Sequence, residues 1–285
     1  MAEIISGKAV AAHLEEDLVR RVHLLKEKGK QPCLSVIRVG NKPGDLSYEK
    51  GALLRCEKTG IHCRTYHLED DAGQDELVSL IHSLNRDSSV HGVLLLRPLP
   101  KGMDEQAVVN ELCPEKDVDG MTDLSMSGLL TGNGRGYAPC TAQAAMACLD
   151  YHGVDCCGKR AVVIGRSLVF GKPAALLLTD RNATVTLCHT KTRDLPSIAR
   201  QADILMVAAG HPGTVGAECA SSGQIVIDVG INMGPDHKLC GDVAYDEVQD
   251  IVSAITPVPG GVGAVTTTIL ALHVIEACEK AALTD

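Results

Sequence analysis

The chain has 285 residues, 45% apolar and 22% charged, a balance that excludes fibrous and intrinsically disordered classes. Its net charge of −9, without any basic run, argues against nucleic acid or an anionic membrane as partner. Aromatic residues are 2% of the total, so the core must be built from Val, Ile, Leu and Ala, and stacking platforms for single-stranded nucleic acid are not expected.

Residues 2–28 carry Val10, Leu14, Leu18, Val22 and Leu25 on one helical stripe. The same stretch has no cationic segment followed by an apolar one, and no apolar run in the chain is long enough to span a bilayer. The twelve cysteines include no CxxC pair and read as reduced, small core side chains, which suggests a cytoplasmic protein. Strands are predicted at 33–40, 62–68 and 90–96, and helices at 45–58, 74–85 and 103–112. Gly60 stops the first of these helices, and Pro98 and Pro100 end the third strand. The Gly-rich stretch 128–139 marks a boundary. A helix at 141–153 follows, with Thr141 as N-cap and Gly153 as stop. A second series has strands at 160–165, 183–189, 202–210 and 224–232, and helices at 172–180 and 266–281. Alternating strands and helices imply parallel βαβ units. The expected architecture is therefore α/β with two domains and a cleft between them: 1–140 plus 266–285, and a Rossmann-like, doubly wound domain at 141–265.

The strongest local signal is AVVIGRSLVFGKPAALLL (161–178), where a buried strand runs into Gly165, Gly171 and a helix opened by Pro173. This order sets backbone N–H groups and a helix N-terminus against a phosphate, although the spacing is G-x5-G and not G-x-G-x-x-G. The next strand ends Cys188-His189-Thr190-Lys191-Thr192-Arg193, without the acid that would bind a ribose 2′-hydroxyl. Hydroxyls and cations at that edge, with Arg166 as a further one, lean to NADP, with NAD left open. KDVDG (116–120) is an acidic turn that could bind metal or take paired N–H groups from an amidine-like ring edge. No further ligands follow at calcium-loop spacing, so no metal is expected. ITPVPGGVGAVT (255–266) is an uncharged loop, stiff at its prolines and open to close approach at Gly260 and Gly261. His13, His23, His62, His67, His82 and His91 form no triad or zinc site by spacing.

Together these segments resemble the bifunctional methylenetetrahydrofolate dehydrogenase/cyclohydrolase family. The residues carrying the resemblance are Tyr48 with Gly60-Ile61, Arg97-Pro98-Leu99-Pro100, KDVDG, Pro139-Cys140-Thr141, GRSLVFGKP (165–173), ATVTLCHTKT (183–192), ADILMVAAG (202–210), DVGIN (228–232), GDV (241–243) and TPVPGGVG (256–263). The resemblance implies hydride transfer from 5,10-methylenetetrahydrofolate to a nicotinamide, then hydrolysis of the methenyl product to 10-formyltetrahydrofolate, in a homodimer. It implies Tyr48 stacked on the folate ring and Asp119 on the pterin edge, both catalytic. Leu96, Pro98, Leu99, Pro259, Gly260 and Gly261 would complete the tetrahydrofolate site. Gly165, Arg166, Ser167, Gly171, Pro173, His189, Thr190 and Ile231 would line the cofactor.

The chain departs from that pattern at the chemistry. The family's catalytic Lys, four residues after the Tyr, is Ala52, and the Gln before the Pro-Leu-Pro turn is Leu96. A Ser three residues before the Tyr is Asp45, and a Ser at the cofactor edge is Thr190. Lys50 lies about 200° around the helix from Tyr48 and points away. Acid–base help of the lost kind is worth roughly 10²–10⁴-fold, so a dehydrogenase with weak or absent cyclohydrolase is expected. The alternatives are full bifunctionality, with Arg55 as a substitute cation or else a solvated helix charge, and a non-catalytic folate-binding protein.

Overall fold

The computed structural model of the chain describes residues 2–234 and 237–283. In chain order the elements begin with β1 (Glu3–Ile4), α1 (Gly7–Glu27), β2 (Cys33–Val39), α2 (Pro43–Thr59), β3 (His62–Leu68), α3 (Gln74–Arg86) and β4 (Gly92–Leu95). They continue with α4 (Glu105–Val109), α5 (Asp123–Thr131), α6 (Cys140–Tyr151), β5 (Arg160–Ile164), α7 (Gly171–Asp180), β6 (Thr184–Cys188), α8 (Leu195–Ala199) and β7 (Ile204–Val207). The last are β8 (Ile225–Asp228), β9 (Asn232–Met233), β10 (Leu239–Cys240), α9 (Tyr245–Val248), β11 (Ala254–Ile255) and α10 (Thr266–Ala282). The chain divides into two compact α/β units.

One unit holds His13–Cys140 and the chain from residue 267 onward. Its sheet is parallel, in the order β3-β2-β4. The middle strand β2 is buried at every position, as a central parallel strand must be. Ile37, Leu77, Ile81, Leu84, Val93, Val108 and Leu112 form one apolar cluster beside it. Helix α2 buries Asp45, Glu49, Ala52, Cys56 and Thr59, a stripe at helical spacing that is mostly polar. Such a stripe is tolerated only where its polar groups find partners.

The other unit holds residues 2–12 and Thr141–Thr266. Its six-stranded sheet runs β1-β11-β8-β7-β5-β6, and its paired strands are parallel. Strand β5 lies between β6 and β7, so the winding reverses there. In such sheets ligands bind outside the carboxyl ends of the strands at that switch point.

The start of the chain differs from the sequence reading. Residues 2–28 were expected as one helix of the first domain. Instead Glu3 and Ile4 pair with Ala254 and Ile255, and α1 opens only at Gly7. The first twelve residues therefore pack with the nucleotide-type unit. The cause is a close approach: a Cβ on Gly7 would stand 1.9 Å from the Gly261 carbonyl oxygen, so only glycine fits there. Two-residue strands such as β1, β9, β10 and β11 are too short to leave a periodic signal, and α5 and α8 are likewise not anticipated.

Candidate functional site

The acidic turn separates into parts with distinct tasks. Asp117 is buried and saturated: its carboxylate accepts from the Met121 and Thr122 N–H groups at 3.0 and 2.8 Å and from Ser125 Oγ at 2.6 Å. Lys116 donates from Nζ to the carbonyls of Leu84, Asn85 and Asp87. Val118 is wholly buried. The sequence reading offered both carboxylates to a ligand. The structure corrects this, because Asp117 is taken up by the chain leading into α5, whose N-cap is Thr122, and Asp119 is the one left partly exposed. Burial and the neighbouring Asp117 push the Asp119 carboxyl up to about 6, while Arg97 pulls it down. Behind it the Cys140 thiol donates to the Val118 carbonyl at 3.2 Å and, buried beside Asp119, is held well above the usual thiol range.

Strand β4 delivers the next group. Leu96 and Leu99 are buried and Pro98 is exposed, with a cis bond between Arg97 and Pro98. Glu105 at the start of α4 braces this turn. One carboxylate oxygen takes the Leu99 N–H at 2.8 Å and the other pairs with Arg97 at 3.2 Å. Arg97, Asp117 and Asp119 share the wall of one small cavity with Val93, Leu95 and Met121.

On α2, Tyr48 is half-buried and Lys50 faces solvent. Ala52 is 1% exposed, so the position one turn beyond the Tyr is a packed methyl group. Arg55 is neither a solvated charge nor a spare cation, because it is paired with Glu15. The bland reading of the histidines misses His67. Its Nε2 lies 2.9 Å from Glu49, which also takes Arg38 Nε at 2.7 Å, and both of those partners are buried. The His67 and Arg38 bonds hold the Glu49 carboxyl below the usual range against the opposing cost of burial. These partners satisfy Glu49, and the Thr59 hydroxyl donates to the Arg55 carbonyl at 2.8 Å. Motif spacing could not have found them, since Arg38, Glu49 and His67 meet only through the fold.

The second unit shapes a turn at the end of β5. Gly165 has φ +121, and a Cβ there would stand 2.2 Å from the Ala208 carbonyl oxygen. A Cβ on Gly171 would meet the Gly165 carbonyl at 2.0 Å. Both glycines are therefore required by a turn that doubles back on itself. The turn presents Arg166, Ser167, Leu168 and Val169 to solvent and buries Phe170, while Pro173 is buried in the first turn of α7. At the end of β6, His189 is partly exposed and Thr190 exposed. His189 Nδ1 accepts the Lys191 N–H at 3.1 Å.

Two buried carboxylates lock DVGIN to GDV. Asp228 accepts the N–H groups of Gly230, Asp242 and Val243. Asp242 accepts those of Ala209 and Gly210 and the side-chain amide of Asn232. Ile231 is thereby held 65% exposed on a fixed backbone. It shares a cavity of about 290 Å³ with Pro259, Gly260, Gly261 and Lys8. The structure thus brings Ile231, Pro259, Gly260 and Gly261 together. Lys8 is a lining residue that the sequence reading missed, because it placed the first residues in the other domain. Among the described residues no group of three or more His, Cys, Asp or Glu side chains could hold a metal ion, and no helix is long and apolar enough to cross a membrane.

Comparison with known proteins finds one family along the chain. The profile of the tetrahydrofolate dehydrogenase/cyclohydrolase catalytic domain covers residues 5–119, and that of the family's NAD(P)-binding domain covers residues 139–282. The bifunctional protein FolD of Alkaliphilus metalliredigens is 46% identical over 280 residues, 98% of this chain and 99% of its own. The crystal structure of the bifunctional enzyme FolD from Campylobacter jejuni superposes with a TM-score of 0.96 at 39% identity, covering 98% of this chain and 99% of that one. The Trypanosoma brucei methylenetetrahydrofolate dehydrogenase-cyclohydrolase, solved with NADP cofactor and an inhibitor, gives 0.92 at 35% identity, covering 99% and 98%. On both domains and over nearly its whole length, the chain belongs to the tetrahydrofolate dehydrogenase/cyclohydrolase family and is an NAD(P)-dependent methylenetetrahydrofolate dehydrogenase.

Proposed function

We propose that this chain oxidises 5,10-methylenetetrahydrofolate to the methenyl cation with NADP, and that it also hydrolyses that cation to 10-formyltetrahydrofolate. The observation carrying the substrate is the division of labour in KDVDG: Asp117 is saturated by the protein, while Asp119 stays partly exposed with the Arg97 charge acting on it. A carboxylate so placed accepts the paired N–H groups of a pterin edge, and Tyr48 supplies a stacking face. Leu96, Pro98, Leu99, Pro259, Gly260 and Gly261 give apolar and backbone contact. Bound NAD(P) supplies the hydride acceptor. The chain's part is to hold the phosphates against the N–H groups of the Gly165–Pro173 turn and to support the nicotinamide side near Ile231. The absence of an acid after β6, with Thr190 and Arg166 exposed, favours a 2′-phosphate. The bifunctional name carried by the relatives supports the hydrolytic half.

A second reading rests on Ala52, which is packed, and on Arg55, which is bound to Glu15. Without a titratable cation one turn from Tyr48, water attack on the methenyl carbon loses its assistance, and the hydrolase slows relative to the dehydrogenase. One assay decides. Purified protein receives methylenetetrahydrofolate with NADP or with NAD, and methenyl absorbance is followed past the end of the redox phase. Decay faster than the buffer control supports the bifunctional reading; decay at the buffer rate supports the second. No methenyl product with either nucleotide overturns both. We also infer a homodimer, supported by the apolar exposure of Met233 and Leu239 on the paired strands β9 and β10. Light scattering at twice the chain mass is the expected result.

A further inference from the structure

Residues 29–31 lead into β2 and residues 88–91 lead into β4. With residues 115–116, 134–137 and the C-terminal part of α10 they enclose a cavity of about 740 Å³. It lies wholly within the unit that holds the β3-β2-β4 sheet. That sheet is parallel, so the cavity stands at the amino ends of its strands. Leu96, Leu99 and the chain entering α2 follow the carboxyl ends, and neither they nor Tyr48 and Asp119 line it.

Its walls are cationic. Lys30, Lys116, Arg135 and Lys280 line the cavity against a single acid, Glu115. The whole chain carries −9, so this excess is local. Lys116 is half-buried and donates from Nζ to the carbonyls of Leu84, Asn85 and Asp87, bonds that hold its charge without cancelling it. Lys280 Nζ stands 4.5 Å from the centre of the Tyr137 ring, whose face carries a cation without neutralising it. Arg135 is exposed, and among the described residues its guanidinium has no hydrogen bond or ion pair, so its whole planar fork is left for a ligand. His91, also on the wall, accepts the Cys33 N–H on Nδ1 at 3.2 Å. The neutral ring therefore carries its proton on Nε2, and among the described residues nothing accepts from it. Like charges gathered on one cavity cost the fold free energy, and a bound anion offsets that cost. A guanidinium fork among lysines suits the oxygens of phosphates and carboxylates, and the volume is that of a small-molecule site and not of a single ion. We propose that this cavity binds a small polyanion, a molecule carrying several phosphate or carboxylate groups, at a site separate from those of the folate and the nucleotide.

The test is titration calorimetry on the intact protein, saturated with NADP so that the turn after β5 is already filled. Tripolyphosphate and citrate are the probes, and the tighter of the two names the anionic group. One site per chain is expected, weakened by added salt and raising the melting temperature. Arg135→Glu should weaken binding about tenfold or more, and Arg135→Glu with Lys280→Glu should abolish it. Arg135→Gln, a neutral change at an exposed position, should weaken it about threefold and decides the matter should the double variant fail to fold. Lys159→Glu, exposed in the other unit, alters the net charge as much as Arg135→Glu and should bind like the wild type. Each single variant should keep kcat/KM for methylenetetrahydrofolate within about twofold of the parent. A wild type that binds neither probe overturns the proposal, as do folded Arg135 variants that bind like the wild type. Equal weakening in Lys159→Glu also overturns it, since attraction to net charge would then be the whole effect.

Discussion

At the scale of single residues, two positions decide the chemistry. The Asp119 carboxyl, pushed up to about 6 by burial and by Asp117, must be ionised to accept two donors. Below about pH 6 the affinity for folate should therefore fall roughly tenfold per pH unit, because each unit removes that fraction of carboxylate. Asp119→Asn should cost roughly 10²-fold in kcat/KM and abolish this acid limb, since an amide neither carries the charge nor titrates. A limb that persists in the variant would assign it to another group. The second position is Ala52. Restoring a lysine alone would bury a cation at a position that is 1% exposed, without restoring the Gln at Leu96. The paired change Ala52→Lys with Leu96→Gln supplies the partner as well. It should raise the rate of methenyl hydrolysis by roughly 10²-fold over the parent, read as faster decay of the methenyl band. An unchanged decay would show that the hydrolytic step in this chain does not use that face of α2.

At the scale of elements, the β5–α7 turn and the KDVDG turn are the parts that tolerate least. Gly165→Ala places a Cβ 2.2 Å from the Ala208 carbonyl at a φ of +121, which alanine rarely adopts. The turn must open, so KM for NADP should rise by about tenfold or more while folate affinity in calorimetry stays near wild type. Asp117→Ala leaves two backbone N–H groups and the Ser125 hydroxyl without their acceptor in a buried place, at a cost of about 3 kcal/mol in denaturant unfolding. These two turns were also the most legible from sequence, because a glycine pair after an apolar strand and two acids around a buried valine each have few physical solutions. The full-length strands β2 and β3 and helices α3, α7 and α10 were visible for a similar reason: each is long enough to show its period. What could not be read was tertiary. That Asp117 is buried and saturated while Asp119 stays partly exposed depends on where Ser125 sits. The destination of Glu49 depends on Arg38 and His67 arriving from β2 and β3. The first twelve residues looked like one helix because two residues of strand have no period, and their partner β11 lies some 250 positions away.

At the scale of the whole molecule, each unit holds a carboxylate whose charge is opposed by its surroundings. Asp119 and Asp228 are both pushed up to about 6, in each case chiefly by burial. An acid raised in the folded state binds protons more readily there than in the unfolded chain. It therefore costs stability when ionised, and that cost is relieved as pH falls through about 6 toward the unfolded value near 4. His273 works the other way. Buried against the Val118 carbonyl, it is lowered to about 4, so its contribution is present above its ordinary value of 6.5 and is lost as pH falls toward 4. The opposing signs share one window, so the wild-type melting temperature should change little between about pH 7 and 5. Asp119→Asn removes one of the two relieving acids and separates the contributions. The variant should melt above the wild type near pH 8, where the ionised carboxylate is a burden the binding site carries for its ligand. The advantage should shrink through about pH 6 and vanish near pH 4, where both side chains are neutral. Scanning calorimetry across that range reads the difference directly. A variant that melts no higher than the wild type at pH 8 would mean that Arg97 and Cys140 compensate the Asp119 charge in full, and that its ionisation costs the fold nothing.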